Sequence, residues 1–424
     1  MSVFQDKVDS LISKINEVRQ THNERFNNLN TFLQGKLANL IIGPFSLTFT
    51  GLNAIRMSST SLAIPHEIEL INYFSYAQKD NSYINIGIDA SNWFGEYQTI
   101  TATNNRVTID IPNVPADYNA YLHVIFKFSS DNPVYQPFVF LDRTEFLDVF
   151  PFVHPNDKLL WATYESLKYG PTIMWPLYSK DEMPNAFDVI SHLAPVYNII
   201  ALDTKGIISQ LCLKMHKLNM NKLLWTSLSN KNEKDYNKDF IEQDYERLIH
   251  FSVIAKYSFG AEVYESGGFI FQIKAADMIN RFLNSMLTKD TPAYDLDNNI
   301  LFYNGVKDIE VSDPNFQFDQ TAQMGYITEL KNTGNFANSQ VKPIVILDAL
   351  SIDLKKEFRA YIAKIAKIQD EVIKKSIDKV MDYYVNNKLI SKYEISSINI
   401  ESESIQVVIQ VIIENNVFSL SVAI

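Results

Sequence analysis

The chain holds a single cysteine, Cys212, in 424 residues. No disulfide can form within it, which fits synthesis in a reducing cytoplasm. Cys212 lies in an apolar stretch, residues 207–213, and reads as a buried, inert thiol. Glycine is scarce at 13, which argues against a scaffold punctuated by cofactor loops. No Gly-x-Ser-x-Gly elbow, Walker A loop or dinucleotide fingerprint occurs. His66-Glu67 begins a zinc-protease motif, but Leu70 stands where its second histidine belongs. Asp295, Asp297 and Asn299 begin a calcium loop, but Ile300 and Val306 occupy its glycine and glutamate places. Neither a cofactor nor a metal is expected.

An excess of positive charge is also missing. The net charge is −11, and no block of like charges runs through the chain. Strong duplex DNA or RNA binding needs a basic face and is not expected. No stretch approaches the ~18 apolar residues of a membrane span. Asp6, Lys7 and Asp9 stand where a signal peptide needs an apolar core, so no classical export signal is read.

What is present is periodicity. Ile405, Val407, Ile409, Val411 and Ile413 alternate strictly, then Glu414-Asn415-Asn416 intervenes. Alternation resumes at Phe418, Leu420, Val422 and Ile424, the pattern of a β-hairpin. The second face of the first strand is half apolar, through Val408 and Ile412, which implies cover on both faces. At the other end, Val8, Leu11, Ile15 and Val18 follow 3-4 spacing, and Leu29 and Leu33 continue the stripe. Residues 1–40 therefore read as a coiled-coil-like helix, either docked on its own body or bundled with sister chains.

Residues 41–150 read as a β-sandwich-like domain, with a tight turn at Asn104-Asn105. Residues 151–290 read as mainly helical, with helices at 155–168, 185–200, 205–228, 240–256 and 271–287. Residues 291–345 read as a loop-rich connector carrying a hairpin at Asn304-Gly305. Residues 346–424 read as one long helix, 346–390, followed by a β-meander. The fold class expected is α+β and multidomain.

Two chemical readings compete with a structural one. Trp93, Tyr97 and Tyr121 can form a sugar-stacking platform, although alternate aromatics also fill sandwich cores. Asp142, Glu145 and Asp148 lie close in sequence, and two carboxylates ~5–9 Å apart can hydrolyse a glycosidic bond. The alternatives are thus a glycan-binding adhesin and a polysaccharide-acting enzyme.

The end of the chain resembles proteins of contractile phage tails. The helical run Val372-Ile373-Lys374-Lys375-Ser376-Ile377-Asp378-Lys379-Val380 is followed by Tyr393-Glu394-Ile395, then Ile398 and Ile400, then the hairpin. Baseplate wedge proteins and tail sheath proteins follow a similar course of helix, strand and hairpin. The Glu-Pro-Arg run often found before the first strand in the wedge family is absent, and residues 389–393 stand there instead. The resemblance implies a non-enzymatic virion component of a tail, baseplate or neck, partnered by other virion subunits and by copies of itself. The candidate interface residues are Val8, Leu11, Ile15, Val18, Leu29 and Leu33 of the N-terminal stripe, with Val408, Ile412, Phe418 and Leu420 of the hairpin.

Overall fold

A computed structural model describes residues 2–52, 59–63, 68–79, 82–85, 106–110, 119–151, 153–228, 245–259, 262–289, 301–304, 306–311, 316–319, 321, 324–327, 331–333, 340–362, 369–401 and 404–424. The class is mixed α and β. The chain divides into two compact units. The first comprises Met1–Gln243, Leu248–Asp277 and Leu301–Thr328. The second comprises Asp244–Arg247, Met278–Ile300 and Glu329–Ile424.

Among the described residues of the first unit, six strands form one sheet. Its centre is Ala38–Pro44, flanked in parallel by Thr172–Leu177 on one side and Val196–Ala201 on the other. Leu223–Ser227 and Leu248–Phe251 extend the second side, also in parallel. Phe138–Phe140 closes the first side as an antiparallel edge. The parallel strands thus run outward from the centre in both directions, the order of a doubly wound sheet.

This corrects the helical reading of 151–290. Helices do occupy Lys158–Ser166, Met183–Ile190, Ile208–Lys217 and Phe269–Thr288. The apolar runs between them are strands. Val196–Ala201 and Leu223–Ser227 are buried at every position, so they show no alternation. A strand covered on both faces reads like a piece of buried helix.

Three buried polar side chains cross the sheet in one row, Thr172, Asn39 and Asn198, in register. The Asn39 amide donates to Ser166 Oγ at 3.3 Å, and the Thr172 hydroxyl donates to the same oxygen at 2.9 Å. Asn198 donates to the Ala276 carbonyl at 3.0 Å and accepts from Trp225 Nε1 at 3.0 Å. Helices Lys158–Ser166 and Phe269–Thr288 therefore lie on the same face, where Trp161 meets Phe269 edge to face. Buried polar groups must find partners, so this row fixes where both helices sit.

The expected β-domain is present in part. Leu47–Leu52, Asn119–Phe128, Ile68–Lys79 and Ser82–Asn85 make an antiparallel sheet in that order, and Ser59–Ala63 pairs with Arg106–Asp110. The boundaries differ from 41–150. The Ala38–Pro44 and Phe138–Phe140 strands belong to the doubly wound sheet, as does the helix Arg143–Val149 that packs beside Phe138–Phe140. The turn expected at Asn104-Asn105 lies outside the described residues.

The Asn304-Gly305 hairpin is not formed. Leu301–Asn304 pairs with Met324–Ile327, whereas Val306–Val311 pairs with Ile254–Phe259. The flanking strands belong to different sheets, so 291–345 is no simple connector.

In the second unit, the long helix proves to be two, Val341–Ile362 and Asp370–Asn386. Gln369 is extended at ψ 150° and starts the second helix. Three contacts set their direction: Asp353 with Tyr384, Glu357 with Lys379, and Tyr361 with Ser376. One partner number rises as the other falls, so the helices run antiparallel. Both helices carry buried apolar residues, Leu354 and Phe358 on the first and Ile373, Ile377, Val380 and Tyr384 on the second.

The meander follows as expected. Lys392–Ile400, Ile405–Ile413 and Asn416–Ala423 form an antiparallel sheet in sequence order. Glu414 and Asn415 take φ of 48° and 68°, the backbone of a two-residue primed turn. Ile405, Val407, Ile409, Val411 and Ile413 are all buried, and the helix Val341–Ile362 packs against the last two strands.

Candidate functional site

The N-terminal stripe lies against the chain's own body. Ser2–Asn27 is helical and packs on Phe138–Phe140. Val8, Ile15, Leu29 and Leu33 are buried, while Leu11 and Val18 are half-buried. Of the two readings of this helix, the docked one fits these residues, and Leu11 and Val18 keep part of their surface exposed. His22, on the same helix, is buried and has defined partners. Its Nδ1 accepts from the Val139 amide at 3.1 Å, and its ring meets Phe138 and Phe140 edge to face. Arg25 donates to the Val139 carbonyl at 3.2 Å and pairs with Glu145. Both outward backbone groups of Val139 are thereby satisfied, and the sheet edge is closed. Burial, then the Arg25 charge, push the His22 imidazole down to about 4.

Of the three carboxylates read as catalytic candidates, Asp142 and Glu145 make local structural contacts. Asp142 caps the Arg143–Val149 helix by accepting from Glu145 N at 3.0 Å. Glu145 accepts from Leu141 N and pairs with Arg25. Asp148 lines a groove with Pro151. That groove, about 560 Å³, lies between the first helix and the start of the Leu47–Leu52 strand, over Val8, Leu11, Leu47 and Phe126.

Open doubly wound sheets bind ligands outside the carboxyl ends of their strands, where the strand order reverses. Here that place lies between Ala38–Pro44 and Val196–Ala201. It is packed with side chains. A Cβ at Gly43 would stand 2.9 Å from Leu202 Cβ, and Leu202 N donates to the Ile42 carbonyl. Phe45 follows, 1% exposed, its ring set among Phe128, Tyr135 and Phe150. Leu202 beside Gly43, and buried Phe45 after it, fill the space that an open phosphate cradle would need. The chain after the central strand is held by Asp157, whose carboxylate accepts from Thr48 N at 2.8 Å and from the Thr48 hydroxyl at 2.7 Å. Burial raises this carboxyl to about 7, against the pull of Thr48 and Ser46. Sequence reasoning missed Asp157; an acidic residue just before a helix was its only signal.

The meander presents a different surface. Its outer face carries Lys392, Ile412 and Val417 in one row, Glu394, Gln410 and Ser419 in the next, then Ser397, Val408 and Ser421. Ile412 and Val408 are half-buried, Val417 is 64% exposed, and the rest is polar. Among the described residues of this chain the sheet is covered on one face, and the half-buried Ile412 and Val408 lie on the other. Leu420 is buried, and Phe418 is half-buried.

The two outer strands differ. Lys392–Ile400 carries charges and a bulge between Ile395 and Ser397, both devices that blunt an edge. Asn416–Ala423 has no charge, no proline and unbroken register. Among the described residues, no backbone group outside this sheet pairs with it.

Trp93 and Tyr97 lie outside the described residues. Tyr121 sits in the Asn119–Phe128 strand, opposite Leu52 and Tyr76. Among the described residues, no group of three metal-ligating side chains converges, and no helix is long and apolar enough to cross a membrane. No known protein-family model matches the chain, and no curated protein sequence matches it.

Proposed function

We propose that the chain is a structural subunit of a larger protein particle, joined to its neighbours through the meander of the second unit. The observation that carries this reading is the uncharged, unblunted strand edge at Asn416–Ala423. Such an edge offers a row of backbone donors and acceptors to another strand. The packed crevice at the centre of the doubly wound sheet supports a scaffold over a catalyst. The helix-strand-hairpin order, similar to that of contractile-tail proteins, points to a virion tail, baseplate or neck as the particle. Neighbouring virion subunits are then the partners.

Light scattering and negative-stain electron microscopy of the purified chain test this. Discrete oligomers or particles are expected. A monomer at every concentration, which also fails to co-purify with a particle, overturns the proposal.

A further inference from the structure

We infer that the strand added at Asn416–Ala423 is the same strand of a second copy, antiparallel about a two-fold axis at Leu420. The inference rests on the assembly reading and names its partner.

Backbone direction comes first. Ile405 and Ile424 exchange two hydrogen bonds, each 3.1 Å. In an antiparallel ladder, hydrogen-bonded pairs alternate with non-bonded ones. With Ile413 opposite Asn416 at the turn, the even-numbered residues of Asn416–Ala423 bond inward to Ile405–Ile413. Val417, Ser419, Ser421 and Ala423 then aim their N–H and C=O groups outward.

Parity then selects the register. Outward residues must meet outward residues, so an odd position must face an odd position. The longest overlap that obeys this puts Val417 opposite Ala423 of the second copy and Ser419 opposite its Ser421. Leu420 then faces itself. About eight hydrogen bonds form, two for each bonded pair. A slip by one residue would set outward groups against inward ones and lose them all.

Side chains agree with this register. The strand carries no charge, so two copies bring no like charges together. On the covered face, half-buried Phe418 meets Val422 of the second copy and Leu420 meets Leu420, which prolongs the apolar layer. On the outer face, exposed Ser419 meets Ser421. The bulged, charged strand Lys392–Ile400 fits such a partner poorly.

The test uses the full chain with Ser419→Cys and Ser421→Cys as separate variants. Both serines are exposed, and native Cys212 is buried with its thiol raised to about 12, so it stays silent. Bonded antiparallel pairs have Cα atoms about 5.5 Å apart, within the range a disulfide spans. Oxidising a mixture of the two variants is expected to give a cross-linked dimer, while either variant alone gives at least tenfold less. Cross-linking by Ser419→Cys alone would place the axis elsewhere and overturn the register. Oligomers without any cross-link would overturn the two-fold edge and leave the assembly reading standing. A monomer at every concentration would overturn the two-fold edge, and one that also fails to co-purify with a particle would overturn the assembly reading as well. Ser421→Pro removes one outward donor, and is expected to weaken the dimer at least tenfold with the circular dichroism spectrum unchanged.

Discussion

His22 Nδ1 accepts the amide hydrogen of Val139, 117 residues further along the chain. With Arg25 on the carbonyl of the same residue, one turn of helix replaces the strand that the sheet edge lacks. This requires a neutral imidazole whose proton sits on Nε2. Above the ordinary histidine value of 6.5, the bond is fully present. As pH falls from 6.5 towards 4, the unfolded chain takes up a proton that the folded site refuses, and stability is lost. The loss by pH 4 is on the order of 3 kcal/mol. His22→Asn keeps an acceptor near the Nδ1 position and removes the titration. Thermal melts between pH 7 and 4.5 should show a shallower fall for this variant. Parallel slopes would place the acid sensitivity elsewhere, for example at His250, whose imidazole burial pushes down to about 3.

Asp157 works in the opposite sense. Its folded value of about 7 lies above the ordinary 3.8, so the site favours the protonated form. Its contribution is fully present below about 4 and is lost as pH rises through 7. Asp157→Asn can still hold Thr48 but has no charge to desolvate. Its melting temperature should equal or exceed the parent's at pH 8. Asp157→Ala orphans the Thr48 amide and should cost about 1–3 kcal/mol. Denaturant titration at pH 8 separates the two variants.

Gly267 should accept no side chain. A Cβ there would stand 1.8 Å from the Leu228 carbonyl oxygen, and at Gly268 it would stand 2.6 Å from Phe251 Cβ. Relief at Gly267 requires backbone movement, because the obstacle is main chain. Gly267→Ala should therefore lower stability by several kcal/mol. Gly170→Ala, with nothing within 4 Å, is the control and should change little. Soluble yield and melting temperature of the pair give the comparison.

The hairpin turn offers a milder probe. Asn415 holds φ 68°, which asparagine tolerates and a β-branched residue does not. Asn415→Val should cost about 1–2 kcal/mol. Asn415→Gly should be neutral or slightly stabilising. A melting temperature for the valine variant equal to the parent's would contradict the turn geometry.

The meander was legible because one face is buried and the other is not. Ile405 to Ile413 alternates in sequence as it alternates in burial. The Phe269–Thr288 helix was legible too, since it is long enough to show its period. The doubly wound sheet was not. Its strands are short, wholly buried and separated by short helices, so 185–200 read as one helix when it holds a helix, a turn and a strand. The split near Gln369 was hidden because both helices present apolar residues at heptad-like spacing to each other. The edge-closing role of His22 was hidden for another reason: its partner is a backbone amide, and backbone leaves no trace in residue identity.

The central strand has a consequence for how the protein must be made. Ala38–Pro44 emerges well before its neighbours on either side, which begin at Thr172 and Val196. The strand has no pairing partner in this sheet until more than a hundred further residues have been synthesised. Closing loops of that length delays non-local pairing and slows folding. An unpaired apolar strand, Leu40-Ile41-Ile42, is meanwhile exposed to other nascent chains. The order of strands thus makes folding of the first unit late and all at once, so fragments cut short of about residue 200 should aggregate when expressed alone.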